Sequence, residues 1–189
     1  MPPLFESLAT RISLGDVRPA PDATRRAAVA VVLHDEMSPR VLLMKRAERA
    51  GDPWSGHISF PGGGYQASDG DLRVTAIREA REELGIDLAG TRTLGNLAPL
   101  SPLTSGHGIE VTPLLFATQV ALDPVCGPEA MAAFWLPLDL AASGALDGTY
   151  RHPVSQMMFP SWTYEGHVIW GLTRRVLDTV LALIRTPGL

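Results

Sequence analysis

Apolar positions along this chain follow two periods. AAVAVVLHD, Ala27 to Asp35, is a run of small and β-branched apolar residues, the pattern of a strand buried on both faces. DEMSPR reads as a turn and VLLMKRA as a second strand, so residues 27–47 are expected to form a hairpin. AERAGDPWSGHI is irregular, and ISF leads into Pro61 and the glycines Gly62, Gly63 and Gly64. From Asp71 to Leu84 the spacing turns helical, and Gly85 supplies the stop. TRTLGNLAPL and IEVTPLLFATQV read as strands on either side of the loop SPLTSGHG. FWLPLDLAASGAL predicts a short strand and a short helix, and MMFPSWTYEGHVIW a β-ribbon turning at Glu165 and Gly166. GLTRRVLDTVLALIR closes the pattern as a helix with Leu172, Val176, Val180 and Ile184 on one face. At the other end Leu4, Leu8 and Ile12 share a helical face, ahead of a proline-rich connector near Gly15 to Thr24. Strands and helices interleave without an internal repeat, which predicts a mixed sheet between helices, an α/β/α sandwich.

Composition narrows the picture. A chain of 189 residues favours one domain over 1–189, with 1–24 as N-terminal helix and connector and 25–189 as core. Its hydrophobic fraction of 46% and charged fraction of 19% are those of a globular protein. A net charge of −4 gives no basic field for nucleic acid, so no nucleic-acid partner is expected. No apolar run reaches the ~18 residues of a membrane span. MPPLFESLATRISL carries an early acid and no long apolar core, so the expected location is the cytoplasm. Cys126 is the only cysteine, which leaves no internal disulfide, and no nucleophile motif surrounds it.

The chemistry gathers on the helix after the glycines. At about 100° per residue, Glu83 lies about +40° and Glu82 about −60° from Glu79, so three carboxylates share an arc of roughly 100°. Ala76, Ala80, Leu84, Ile77 and Val74 form the apolar sector beside it. One reading is a solvated acidic face offset by Arg78 and Arg81. The other is a metal site. The acids lie toward the helix C-terminus, where the macrodipole disfavours them, and they follow a glycine-rich turn that admits close backbone approach. Mg²⁺ or Mn²⁺ takes hard oxygen ligands, bridges to phosphate oxygens and acidifies a bound water. The implied reaction is metal-assisted attack on a phosphate ester or anhydride.

Arg78-Glu79-Ala80-Arg81-Glu82-Glu83-Leu84-Gly85-Ile86 resembles the second half of the Nudix box, G-x5-E-x7-R-E-U-x-E-E-x-G-U, where U is a bulky apolar residue. The first half departs: counted from Gly63, Asp69 stands where the family has Glu, and the next spacer is one residue longer. Upstream, Leu42 to Ala47 and Gly56 to Gly63 resemble the two ends of a motif found in the family's coenzyme A pyrophosphatases. Met44 replaces a threonine of that motif. Asp52 stands where it has an arginine four residues before Gly56, with Arg49 as a substitute.

The resemblance implies an α+β Nudix fold. It makes Glu79 and Glu83 the main ligands of Mg²⁺ or Mn²⁺, Glu82 a third ligand or one acting through water, and the Gly63 carbonyl an extra ligand. Arg78 would orient the carboxylates, with Asp69 as partner. Arg46, Gly62 and Gly63 would meet the substrate. The general base stays open between Glu79, the loop candidate Glu110 and, more weakly, Glu129. His107 reads as solvated rather than catalytic. The four tryptophans read as core or strand residues, any one of which is an alternative platform for adenine. The implied reaction is hydrolysis of coenzyme A, or a derivative, to 3′,5′-ADP and 4′-phosphopantetheine. The alternatives are another nucleoside diphosphate derivative, such as ADP-ribose or a dinucleotide, or a Nudix-like domain that binds a nucleotide without hydrolysis. Oligomeric state is not readable from the sequence.

Overall fold

The apolar run at Ala27 forms strand β1 (Arg25–His34), and it is buried on both sides as its composition predicts. Ala27, Val29, Val31 and Leu33 face one core, and Ala28, Ala30 and Val32 the other. The computed structural model describes residues 4–15, 17, 25–34, 38–103, 108–120 and 122–185. Along one edge β1 runs parallel to β6 (Ile109–Thr118), which pairs antiparallel with β5 (Arg92–Asn96).

The other edge of β1 is divided, and this division creates the site. Only Leu33 and His34 pair with β2 (Arg40–Arg46), so the expected hairpin closes at its turn end alone. Residues 35–37 of that turn lie outside the described residues. The first half of β1 pairs instead with β4 (Gly62–Gly64), in register Ala27 to Gly64 and Val29 to Gly62. β2 leaves β1 to pair with β3 (Ile58–Ser59) on one side and β7 (Ala130–Pro137) on the other. The glycines are therefore a strand, where the sequence suggested a turn. The first of them has no room for a side chain, since a Cβ on Gly62 would lie 2.3 Å from the Ala28 carbonyl oxygen, whereas Gly64 is open.

Helix α2 (Leu72–Leu84) covers the face of Ala28, Ala30 and Val32. Its start is fixed by Asp71, whose carboxylate accepts the Val74 N–H at 2.8 Å, a cap worth about 1 kcal/mol. Its end is fixed by Gly85 in the left-handed conformation, φ 65°. The loop before β7 adds two bonds to the last carbonyls: Val125 N–H donates to Leu84 O at 2.8 Å and Gly127 N–H to Glu83 O at 2.7 Å. That loop carries Glu129. The opposite face is covered by α1 (Leu4–Ala9) and α4 (Gly171–Arg185), through Phe5, Leu8, Val176, Leu177 and Val180. A short helix α3 (Leu138–Ala142) leads to a second sheet of β8 (Asp147–Arg151), β9 (Met158–Tyr164) and β10 (His167–Trp170). β9 and β10 form the expected ribbon, with its turn at Glu165 and Gly166. Thr173 Oγ1 donates to Ile58 O at 2.9 Å and ties α4 to the sheet beside the glycines. Helices on both faces of a mixed sheet give the α+β sandwich that the pattern predicted.

Candidate active site

The three glutamates of α2 share a face but not an environment. Glu83 is 2% exposed, whereas the Glu82 side chain is 58% exposed. Glu79 lies between them in burial, and Arg78 joins the set. Its Nε and Nη2 donate to Asp69 Oδ1 and Oδ2 at 2.9 and 3.0 Å. Its Nη1 donates to Glu79 Oε1 at 2.8 Å and to Glu82 Oε2 at 3.2 Å, and Nη2 also to Gly64 O at 3.0 Å. Every N–H of the guanidinium thus has an acceptor. Asp69 in turn accepts Gln66 N–H at 3.0 Å and the Thr75 hydroxyl at 2.8 Å. The Arg78 bonds hold the Asp69 carboxyl down to about 2, despite burial, and Asp69 in turn raises Arg78.

Glu83 and Glu79 are placed against the glycine strand. Gly62 N–H donates to Glu83 Oε2 at 2.8 Å. A Cβ on Gly63 would lie 2.5 Å from Glu79 Oε1, so this carboxylate occupies the space that any other residue would fill. Burial pushes the Glu83 carboxyl up to about 7; Glu79 and Glu129 add to the rise, while Gly62 N–H and Arg46 oppose it. Burial also raises Glu79, against the pull of Arg78.

A buried and a half-buried carboxylate side by side, both disfavouring their own charge, form a donor set that a cation would stabilise. Among the described residues no group of three His, Cys, Asp or Glu side chains converges into a closed ligand cage. Mg²⁺ needs none: it is commonly held by one or two carboxylates, with waters and substrate phosphates completing the octahedron. Glu79 and Glu83 fit that description.

Both carboxylates open into a cavity of about 370 Å³. Gly62, Gly63 and Gly64 line it. On the β2 side stand Arg46, Trp54, His57 and Glu129; on the β1–β6 side stand Arg25, Ile109 and Val111. Arg46 is gripped by Asp52 at 2.9 Å. Arg49 pairs with Glu129 at 3.2 Å and does not line the cavity. Glu110 does not reach it either. Its neighbours Ile109 and Val111 line the wall, and strand alternation turns Glu110 to the other face, where it pairs with Arg26. His107 lies outside the described residues. Of the residues that sequence reasoning weighed lightly, Glu129 is brought in by the loop that caps α2. The signal for that was Gly127, where a Cβ would lie 2.5 Å from Glu82 O. Trp54 and His57 come from an irregular segment with no period to read. Burial pushes the His57 imidazole below its usual range.

Comparison with known proteins agrees with this geometry. The model of the NUDIX domain matches residues 24–156. The Nudix hydrolases NudL of Yersinia pestis and Yersinia pseudotuberculosis, themselves uncharacterised, are each 35% identical over 158 residues, spanning 81% of this chain and 76% of theirs. In fold, a NUDIX hydrolase from Alicyclobacillus acidocaldarius superposes with a TM-score of 0.59 at 21% identity, covering 86% of this chain and 93% of that one. DR0079 from Deinococcus radiodurans gives 0.54 at 15% identity, covering 86% and 88%. Among the described residues no helix is long and apolar enough to cross a membrane. The matched domain, the 35% identity and the shared fold make this chain a member of the Nudix hydrolase family.

Proposed function

We propose that the protein hydrolyses the pyrophosphate bond of coenzyme A or its derivatives, giving 3′,5′-ADP and 4′-phosphopantetheine, with Mg²⁺ or Mn²⁺ as cofactor. The observation that carries this reading is the meeting of the two upstream motif halves at one cavity. LLMKRA lies on β2 and GHISFPGG supplies β3 and β4. Met44 and Lys45 pair with Ser59 and Ile58, and Arg46 N–H donates to His57 O at 3.0 Å. Arg46 and Gly62 to Gly64 therefore line the same cavity as Glu79 and Glu83.

In this reading Glu79 and Glu83 hold the divalent ion, with Glu82 at the exposed edge and the Gly63 carbonyl as a further donor. When bound, the cation neutralises phosphate charge and lowers the pKa of a water. The chain supplies the geometry. Arg78 fixes Glu79 and Glu82, Gly62 N–H fixes Glu83, and Arg46 faces the phosphates. Water attacks one phosphorus of the diphosphate, the bond from that phosphorus to the bridging oxygen breaks, and the other phosphate leaves. The attacking water's proton passes to a carboxylate that lines the cavity, Glu79 or Glu129, since Glu110 is committed to Arg26 on the other face.

The test is a substrate panel of coenzyme A, its thioesters, ADP-ribose and reduced NAD, with products identified by mass spectrometry. Coenzyme A and its derivatives should show the highest kcat/KM. Activity should vanish with a chelator, return with Mg²⁺ or Mn²⁺, and be poor with Ca²⁺, whose bonds are longer. A strong preference for ADP-ribose would refute the coenzyme A assignment, and undiminished turnover in demetallated protein would refute the metal.

A further inference from the structure

The four tryptophans do not have equal claims on a ligand. Trp162 is 1% exposed; Arg174 lies over its ring at 4.0 Å and its Nε1–H donates to Asp147 Oδ1 at 2.9 Å. Trp170 is boxed in by other rings: Tyr150 stacks on it at 4.3 Å, and His57, His152 and Phe159 close its sides at 5.1 to 5.6 Å. Trp135 packs against His34 and does not line the cavity. Trp54 is half-buried and lines the cavity, and among the described residues no aromatic ring or guanidinium covers it.

What holds Trp54 there also holds Arg46. Asp52 Oδ2 accepts Arg46 Nη2–H at 2.9 Å, and Asp52 Oδ1 accepts Trp54 N–H at 2.9 Å. The turn is closed by His57 N–H donating to Trp54 O at 3.1 Å. One carboxylate thus brackets an indole and a guanidinium at the same flank of the cavity. An aromatic surface beside a fixed cation suits a planar base carried next to a phosphate, because stacking needs only a π-face and the cation supplies the anion contact.

We propose that Trp54 is the platform on which the substrate's adenine stacks, so that the nucleotide half lies on the β2 side of the catalytic carboxylates. Resting on the coenzyme A reading, this places the pantetheine half toward β1 and β6, along Ile109, Val111 and Leu103, with Arg25 at its far end.

The test uses the full-length protein and its Trp54→Phe and Trp54→Leu variants, checked for folding by circular dichroism. Trp54→Leu should raise KM for coenzyme A about tenfold and lower kcat far less, because stacking remote from the reacting phosphorus binds ground state and transition state alike. Trp54→Phe keeps a π-face and should stay within about threefold of wild type. The two product halves serve as binding probes. Trp54→Leu should weaken 3′,5′-ADP about tenfold and leave 4′-phosphopantetheine unchanged. An unchanged KM in Trp54→Leu, or an equal loss for both halves, would overturn the assignment. If Trp54→Leu does not fold, quenching of indole fluorescence by 3′,5′-ADP that persists in Trp54→Phe would overturn it instead. If the wild type cleaves another adenine nucleotide and not coenzyme A, the function reading fails; the same KM comparison on that nucleotide still decides the platform.

Discussion

Two neighbouring segments build the cavity in different ways. In the box, residues 58–86, the pair that orients the carboxylates is held several times over. Arg78 makes five hydrogen bonds to four residues, Asp69 is bound by three partners, and the glycine strand is locked between β1 and the glutamates. In the segment before it, residues 47–57, one side chain holds the Arg46 guanidinium: Asp52 ties it to the Trp54 turn, beside the backbone bond from Arg46 N–H to His57 O. Ser55 Oγ, accepting Arg49 N–H at 2.9 Å, steadies the loop without touching either. Redundancy surrounds the arginine that orients the carboxylates, and a single side-chain tether serves the groups assigned to substrate choice. A family can therefore keep its reaction while this loop changes its substrate.

The comparison breaks most visibly if the carboxylates prove dispensable. Glu83→Gln keeps the shape and the acceptor for Gly62 N–H but removes a charge. It should lower kcat by about a thousandfold or more, with Glu79→Gln close behind, since the lost interaction stabilises charge formed in the transition state. The fold should survive and gain. A carboxyl raised from 4.5 to about 7 in the folded chain destabilises metal-free protein progressively as pH rises from about 4.5 to 7, and fully above that. Metal-free Glu83→Gln should thus melt several degrees above wild type at pH 8, with little difference at pH 4. Near wild-type turnover in both variants would remove the metal assignment, and a lower melting temperature would instead make Glu83 structural.

The glycines sharpen the contrast within the box itself. At Gly63 the new Cβ would meet the far end of a side chain, Glu79, which can move aside; at Gly62 it would meet the Ala28 backbone, which cannot. Gly63→Ala should fold and lose roughly one to two decades of kcat, because an ångström of misplacement is costly in a positioned site. Gly62→Ala should lose stability by about 1–3 kcal/mol, as overpacking does. Thermal melts beside turnover separate the two, and the reverse pattern would contradict the strand register.

Asp69 gives a smaller effect with a defined pH signature. Its folded value near 2 lies below the ordinary 3.8, so its ion pair contributes stability that is complete above about pH 4 and is lost as pH falls through 2. Asp69→Asn should therefore be less stable than wild type by about 2 kcal/mol at pH 7. Urea unfolding across pH 2 to 7 should show that gap closing below pH 4. A gap independent of pH would mean that the pair with Arg78 contributes little.

How much of this was legible depends on whether a residue sits in a periodic element. Helix α2, its Asp71 and Gly85 boundaries and the arc of three glutamates follow from spacing alone. The inequality of those glutamates does not. A helical wheel gives angles, and only the glycine strand packed against one edge buries Glu83 while leaving Glu82 in solvent. That strand was itself hidden, because strand propensity is carried by side chains and three glycines have none. Glu110 shows the same limit on a sheet: alternation separates it from Ile109 and Val111, but the sequence does not say which face meets the cavity. In residues 47–57 there is no period at all, so Asp52 was visible only as a departure from a motif, not as the bracket it forms.

The smallest effect is expected at Arg46, and it bears directly on that segment. Coenzyme A differs from dephospho-coenzyme A by its 3′-phosphate, and a cationic contact is the natural way to read that difference. If Trp54 carries the adenine, Arg46 is the cation held beside it, and Asp52 sets where its guanidinium points. A charge-assisted hydrogen bond contributes about 1.5–3 kcal/mol, equivalent to roughly one to two decades in specificity. Arg46 already shares its charge with Asp52, so the net preference for coenzyme A should sit near the lower bound, about tenfold in kcat/KM. Arg46→Ala should bring the two substrates close to parity, mostly by weakening coenzyme A. Asp52→Asn should act differently: it frees the guanidinium and loosens the Trp54 turn, so both substrates bind less well while their ratio persists. If wild type treats the two substrates alike, no 3′-phosphate contact exists. If Arg46→Ala leaves the ratio intact, the contact lies elsewhere, and Arg25 across the cavity becomes the cation to substitute next.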